Sequence, residues 1–434
     1  MKRSFLVAPL SALVVFCASW QALSQTTQTD KLVRPRTVAV GSTQQTAPKV
    51  APSVPTPAPA VPTGVTEVKK PVPEPVLTAP ATSGNVAPLF LTPALIQTRI
   101  AEAKRLFKTR PQPTAMTPTA SPSIQFVNIA ALDRKTSHIH VATIAKQTFL
   151  AKGSEITTTG SLGEPLTIRV IRANGVNTAV TVFTQDGRSL DPLVVEFPIE
   201  KSGTFKELAY YTSAHPALLS TDLTKSGQGY VRNMLDLAAK RLRDKGVVIS
   251  NDLINIAERL CVVEHVDHDR FRNENRLALY DEVYSLYALN EIDTYRYSVS
   301  SAGAGGMVQM IPWAYNLERQ RHPGVGLIPD FVTAMRNHSN ALQAMLLYMQ
   351  DTWNELAAND EVKFAMNAKV ATMPELMAAG YNSNAAKLPG YLKRGGEDWK
   401  SLIPRETQMY LQIYKSFEGL VPIKARTSTL AQTD

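Results

Sequence analysis

Cysteine is almost missing from this chain: among 434 residues there are two, Cys17 and Cys261. No disulfide framework can hold such a protein together. Cys261 has no evident partner base in the sequence, so it reads as a small buried hydrophobe rather than a nucleophile. Long apolar runs are missing too. The one run near the N-terminus covers about a dozen residues, contains Pro9, and falls short of the ~20 residues that a spanning helix needs. No G-x-S-x-G elbow, phosphate-cradling loop or H-E-x-x-H helix occurs, which removes the commonest hydrolase, nucleotide and zinc-protease readings. Acidic residues are outnumbered, 37 Asp and Glu against 46 Lys and Arg, for a formal net charge of +9. The basic residues are scattered, with short clusters such as Lys240, Arg241 and Arg243, and no aromatic-and-basic stripe follows a nucleic acid strand. No nucleic-acid partner is expected; the charge suits an anionic envelope or an acidic glycan.

What is present starts with Met1 to Ser24: two basic residues, the short apolar run, then Ala22-Leu23-Ser24 as a small-x-small cleavage site. Residues 1–24 read as an export signal, with an uncleaved anchor as the alternative. Lipidation of Cys17 is disfavoured by bulky Phe16 before it. The expected location is the periplasm or cell envelope, with membrane contact only through an uncleaved N-terminal segment. More than half of the 29 prolines lie between Pro35 and Pro122. Residues 25–123 therefore read as a disordered, semi-rigid Pro-rich linker. At ~3.1 Å per residue in polyproline conformation, about seventy residues reach on the order of 200 Å. Inside it, PALIQTRIAEAKRLFKT places Leu95, Ile96, Ile100, Ala103, Leu106 and Phe107 at helical spacing, as a docking helix or a transient one.

From residue 124 to 200 the apolar period becomes two. HIHVATI, LTIRVIR, NTAVTVFT and LVVEFPI are short and β-branched, with turn signals at Ala173-Asn174-Gly175 and Asp186-Gly187-Arg188. A small antiparallel β domain is expected, either a spacer or a binding module. From 205 to 420 the pattern is helical, and 421–434 reads as a flexible tail. The fold class is thus α+β overall, an all-α C-terminal domain preceded by a small antiparallel β domain and a disordered arm.

The chemistry is sought in a carboxylate on an apolar face. After the capping run Ser250-Asn251-Asp252, the residues Leu253, Ile256, Ala257, Leu260 and Cys261 form one helical stripe, and its next position is Glu264. Burial disfavours the charged form, so a Glu there is expected to titrate high and to serve as a general acid. A Glu at a frayed helix end, paired with Arg270 or Arg272, is the structural alternative. Tyr280, Val283, Tyr284, Tyr287 and Ala288 form a second stripe whose next position is Glu291, flanked by Asn290 and Asp293. The run Glu264-His265-Val266-Asp267-His268 holds metal-capable side chains but no evident third ligand, so solvated or supporting histidines are expected.

Four stretches, in order, resemble the lytic transglycosylases of the soluble, goose-lysozyme-like type, which cleave bacterial peptidoglycan. They are Glu264 at the end of its helix, the run Ser300-Ser301-Ala302-Gly303-Ala304-Gly305-Gly306-Met307-Val308-Gln309-Met310-Ile311-Pro312, then Gly380-Tyr381-Asn382, then Ile403-Pro404-Arg405-Glu406-Thr407 with Tyr410. His265 stands where the family usually has Ser, and the stretch from Glu264 to Ser300 is longer than the family spacing. Glu291 keeps that spacing but is followed by Ile292 and preceded by a Tyr-rich helix. Arg272 to Asn290 then reads as a helical insertion, with Glu264 ahead of Glu291 as the acid.

The resemblance implies a lysozyme-like C-terminal domain acting on peptidoglycan glycan strands, with no metal and no cofactor. It implies that Glu264 protonates the oxygen leaving C1 of N-acetylmuramic acid, then takes the proton of the same sugar's C6 hydroxyl as a 1,6-anhydro ring closes. Ser300, Ser301, Met307, Gln309, Tyr381, Asn382 and Glu406 are the implied substrate-binding residues, and small Gly303, Gly305 and Gly306 would let the backbone approach the ring. Cell-envelope proteins are possible partners through the β domain or the arm. The rivals are a hydrolytic muramidase using Asp267 or Asp293 to position water, and a non-catalytic wall-binding or scaffold protein.

Overall fold

The computed structural model describes residues 89–109, 124–201, 203–212, 215, 218–290 and 303–427. The export signal, most of the Pro-rich stretch, Glu291, Asp293, Ser300, Ser301 and residues 428–434 lie outside them. The described chain is mixed, an antiparallel sheet in the middle followed by helices, in agreement with the expected α+β class.

Seven strands form the sheet: β1 Phe126–Leu132, β2 Ile139–Ala145, β3 Glu155–Thr159, β4 Pro165–Arg172, β5 Ala179–Thr184, β6 Ser189–Lys201 and β7 Thr204–Tyr211. They run in the order β2-β1-β6-β5-β4-β3, with β7 also on β6. Strand β6 is long enough to meet β5 at its start and to sit between β1 and β7 beyond. Leu166, Ile168 and Val170 of β4 and Val180 and Val182 of β5 point inward at alternate positions. The two ends of the sheet nearly meet: Ser161 N donates to Val141 O at 2.9 Å and Thr158 Oγ1 to Thr143 O at 3.3 Å, so the sheet curls almost into a barrel.

The sheet outlasts the expected boundary at residue 200. Strand β7 pairs along β6 from Val195 opposite Tyr211 to Lys201 opposite Thr204. Only Ala209 and Tyr211 of β7 are buried, so Lys206 and Glu207 dilute its period-two signal. Among the described residues the first long helix is α1 in the arm, Pro93–Thr109, followed by α2 Thr221–Arg243, α3 Asn251–Val263, α4 Arg276–Asn290, α5 Pro312–Arg321, α6 His338–Ala358, α7 Met373–Asn382 and α8 Arg405–Leu420. Shorter helices join them.

Helix α1 corrects the reading of residues 25–123 as linker throughout. Ile96, Ile100, Ala103 and Phe107 are buried against Leu132, Ile139, Val141, Leu193 and Leu223 and against Ala288 and Leu289 at the end of α4. The stripe legible in the sequence is a docked face at the junction of sheet and helices. A second correction concerns the tail. Residues 422–427 lie against α2 and α3, where the Arg426 guanidinium pairs with Glu258 and donates from Nε to Asp236 Oδ1 at 2.7 Å. Asn255 Oδ1 accepts from Arg426 N at 3.0 Å, so this stretch is fastened rather than loose.

Sheet and helices share one apolar core, continuous from Val127 and Tyr211 through Leu253 and Tyr284 to Phe417. An ion cluster joins them at the surface: Arg270 meets Glu282 through Nη1–Oε1 at 3.0 Å and Nη2–Oε2 at 2.7 Å, and Arg172 at the end of β4 donates to Glu282 Oε1 at 3.1 Å. Helices α2 and α4 cross closely at Gly227, where a Cβ would lie 1.9 Å from the Tyr284 carbonyl oxygen. Among the described residues no helix is long and apolar enough to cross a membrane.

Candidate functional site

Glu264 stands at the C-terminal end of α3, a helix started by Ser250, whose hydroxyl accepts from Leu253 N. The stripe of Leu253, Ile256, Ala257, Leu260 and Cys261 is fully enclosed, and Glu264 with it, at 8% exposure. Its amide still bonds back to Leu260 O at 3.0 Å, so the carboxylate is held on the last turn and not frayed. Tyr410 of α8, itself buried, donates its phenol to Glu264 Oε1 at 2.8 Å. Arg270 and Arg272, the expected alternative counter-ions, engage Glu274, Glu282 and Asp269.

Helix α4 sets the distance between α3 and α8. Tyr287 Oη donates to Cys261 O at 2.8 Å, a carbonyl in the last turn of α3, and Tyr280 Oη donates to Ile413 O at 3.2 Å, three residues past Tyr410. The Tyr280 and Phe417 rings meet edge to face at 5.0 Å. The helix expected as an insertion is therefore a brace between α3, which leads to Glu264, and α8. In the sequence these tyrosines read as an apolar stripe; the further signal they carry is that buried phenols need acceptors.

From Gly303 on, the glycine-rich run is a tight turn packed against the end of α3. Gly305 and Met310 face each other as an antiparallel bridge, and Gln309 N reaches Gly306 O at 3.3 Å. Gln309 itself lies in the left-handed region at φ 47°, unusual for a residue with a side chain, and its Nε2 donates to Gly306 O at 2.9 Å. Two neighbours grip the turn. His265 Nε2 donates to Met307 O at 3.1 Å, and Tyr381 Oη donates to Val308 O at 2.7 Å. Thus the residue after Glu264, the turn, the Tyr of the third motif and the Tyr of the fourth converge from positions up to 146 apart in sequence.

The glycines divide by role. At Gly306, φ is +70° and a Cβ would lie 2.9 Å from Met335 O, so smallness there is demanded by protein packing. At Gly303, φ is +78°, but among the described residues the nearest atoms are Pro312 Cγ and Cδ at 3.4 and 3.5 Å, ordinary contact. Met307 is fully enclosed and acts here through its carbonyl rather than through a side chain offered to a ligand. Gln309, Tyr381 and Asn382 are buried as well, and Glu406 is half-buried in the first turn of α8, four residues before Tyr410 on the same face.

Cys261 is enclosed, and burial, with the charges of Glu258 and Glu264, pushes its thiol up, as suits an inert core residue. Asp267 is an exposed helix cap, its Oδ1 accepting from Asp269 N and Arg270 N at 2.9 and 2.8 Å. The metal-capable run at 264–268 is split between the Tyr410 phenol, the Met307 carbonyl and this cap. Among the described residues, the His, Asp and Glu side chains close enough to share a cation are Glu318, His322 and Asp351, a group the sequence reading missed although Glu318 and His322 keep an i, i+4 helical spacing. Comparison of the chain with protein-family models, with curated proteins and with solved structures finds no match.

Proposed function

We propose that the chain is a peptidoglycan lytic transglycosylase with a lysozyme-like helical domain, exported to the cell envelope, in which Glu264 acts first as acid and then as base. The observation that carries this reading is an enclosed carboxyl, given one phenol donor by Tyr410, beside a glycine-rich turn that His265 and Tyr381 hold by its carbonyls. The Glu264 carboxyl gives its proton to the glycosidic oxygen as the C1–O bond breaks, and the substrate's acetamido oxygen stabilises the charge at C1. The carboxylate then removes the C6 hydroxyl proton while O6 bonds to C1, so no water enters and the product is 1,6-anhydro-N-acetylmuramic acid. One carboxyl suffices for this sequence, where most hydrolytic glycosidases need a pair at fixed separation. Ser300, Ser301, Gln309, Tyr381, Asn382 and Glu406 are the proposed sugar-binding set, and Met307 contributes through the turn. Glycan strands are the partner; the near-barrel sheet and the arm are surfaces for further envelope proteins.

The second reading is a wall-binding protein without turnover, favoured by the way the Gln309 amide is already engaged on Gly306 O. Digestion of purified sacculi followed by mass analysis of released fragments decides. Anhydro-muramic ends that vanish in Glu264→Gln support the proposal. Reducing muramic ends would show hydrolysis instead, and retention on sacculi without released fragments would favour the binding protein.

A further inference from the structure

Helix α5 starts directly after the glycine-rich turn and ends on a cluster that the glycan chemistry does not use. Glu318 and His322 stand one helical turn apart, and Asp351 approaches from α6; one ligand atom from each lies within 4.8 Å of the other two. Glu318 is wholly enclosed at 0% exposure, and neither of its carboxylate oxygens has a hydrogen-bond partner. The nearest nitrogens of basic side chains are His322 Nε2 at 3.7 Å and Arg321 Nη1 at 4.0 Å, both beyond hydrogen-bond reach. A buried carboxylate with no donor is costly, and pairing with a metal ion is one of the few ways to relieve it.

We infer that Glu318, His322 and Asp351 form a site for one divalent transition-metal cation of the zinc class. Tetrahedral Zn²⁺ with bonds of about 2.0–2.2 Å separates its ligand atoms by roughly 3.3–3.6 Å. Here His322 Nε2 is 3.0 Å from Asp351 Oδ2 and 3.7 Å from Glu318 Oε2, so the protein edges bracket that distance. One imidazole and two carboxylates suit Zn²⁺ or Mn²⁺, whereas Ca²⁺ takes six to eight oxygens. His322 and Asp351 are partly exposed, 23% and 20%, which leaves a side open to water as a further ligand. Arg321 Nη1 also lies 3.5 Å from Asp351 Oδ2, so an entering ion displaces the guanidinium from Asp351, and Glu355, whose Oε1 is 3.4 Å from Nη2, remains as its partner. The ion would tie the end of α5 to α6 and so fix the helix that carries the 305–310 turn. The inference stands whether or not the protein acts on glycan.

The test uses tag-free, chelator-treated full chain titrated calorimetrically with ZnCl₂, and separately with MnCl₂, CaCl₂ and MgCl₂, with thermal unfolding followed at saturating metal. One equivalent of Zn²⁺ is expected to bind more tightly than Ca²⁺ or Mg²⁺ and to raise Tm by a few degrees. His322→Ala and Glu318→Gln are expected to weaken binding by at least about tenfold, since loss of a supporting contact alone costs that much. His322 is partly exposed, so its variant keeps the test valid if Glu318→Gln folds poorly. Absence of saturable Zn²⁺ binding, or binding unchanged in His322→Ala and Asp351→Asn, would overturn the assignment.

Discussion

Alanine at Gly306 and at Gly303 separates what the fold demands from what a ligand demands. Both glycines have positive φ, +70° and +78°, a region that costs a side-chain-bearing residue about 1–2 kcal/mol. Lower entropy of the unfolded chain returns about 0.4–1 kcal/mol of that, leaving on the order of 1 kcal/mol for Gly303→Ala, whose new methyl meets nothing closer than 3.4 Å among the described residues. Gly306→Ala adds a methyl 2.9 Å from Met335 O and 3.2 Å from Met335 Cβ, and overpacking of this kind costs a further ~1–3 kcal/mol. The expected losses are thus about 1 kcal/mol for Gly303→Ala and about 2–4 kcal/mol for Gly306→Ala, read from denaturant midpoints at constant m. If the two variants lose stability equally, the packing against Met335 is not what fixes Gly306. If Gly303→Ala keeps its stability deficit near 1 kcal/mol but loses release of sacculus fragments, the glycine at 303 is reserved for the sugar.

Glu264→Gln is expected to abolish fragment release while sacculus binding changes little, and Glu291→Gln to leave release intact; pull-down with release assays on both variants checks this, and reversed results reassign the acid. Tyr410→Phe removes the 2.8 Å donor to Glu264 Oε1, an interaction worth about 1–3 kcal/mol, so turnover should fall roughly five- to a hundredfold with near-normal binding. Wild-type turnover in that variant would refute an orienting role. Burial pushes the Glu282 carboxyl up, but the Arg270 hydrogen bonds and the Arg172 charge outweigh it and hold it below its ordinary 4.5. Its pairing is therefore fully stabilising above pH 4.5 and is lost as pH falls through the depressed value. The Tm gap between wild type and Glu282→Gln should narrow on acidification below that pH, and a gap that widens contradicts the sign.

Regular periodicity was legible, and relations between distant side chains were not. The stripe from Leu253 to Cys261 and the alternation in β4 and β5 both report burial by one face, so helix and strand followed directly. Helix α1 carries the same kind of stripe, which left a docking helix and a transient one equally open, because the surface it docks on is assembled from Leu132, Leu193, Leu223 and Leu289 in four other elements. Strand β7 was lost to the helical domain because Lys206 and Glu207 interrupt its pattern on a strand with only two buried residues.

The candidate site shows the same limit from the other side. Motif order suggested Glu264, the glycine-rich run, Tyr381 and Tyr410 as a set, but apart from the Tyr410 phenol on Glu264 the bonds among them run through carbonyls, at Met307 and Val308, and carbonyls leave no mark in a sequence. For the same reason His265, a departure from the expected Ser, could not be read as the donor that joins the acid's helix to the turn. Gly306 is explained by Met335, a residue with no motif at all. A residue's type thus announced that a constraint existed, while the partner that imposes it emerged only when the chain was folded. Glu318 is the extreme case: an acid at an unremarkable helical position becomes chemically distinctive solely because α6 and its own helix close over it without supplying a donor.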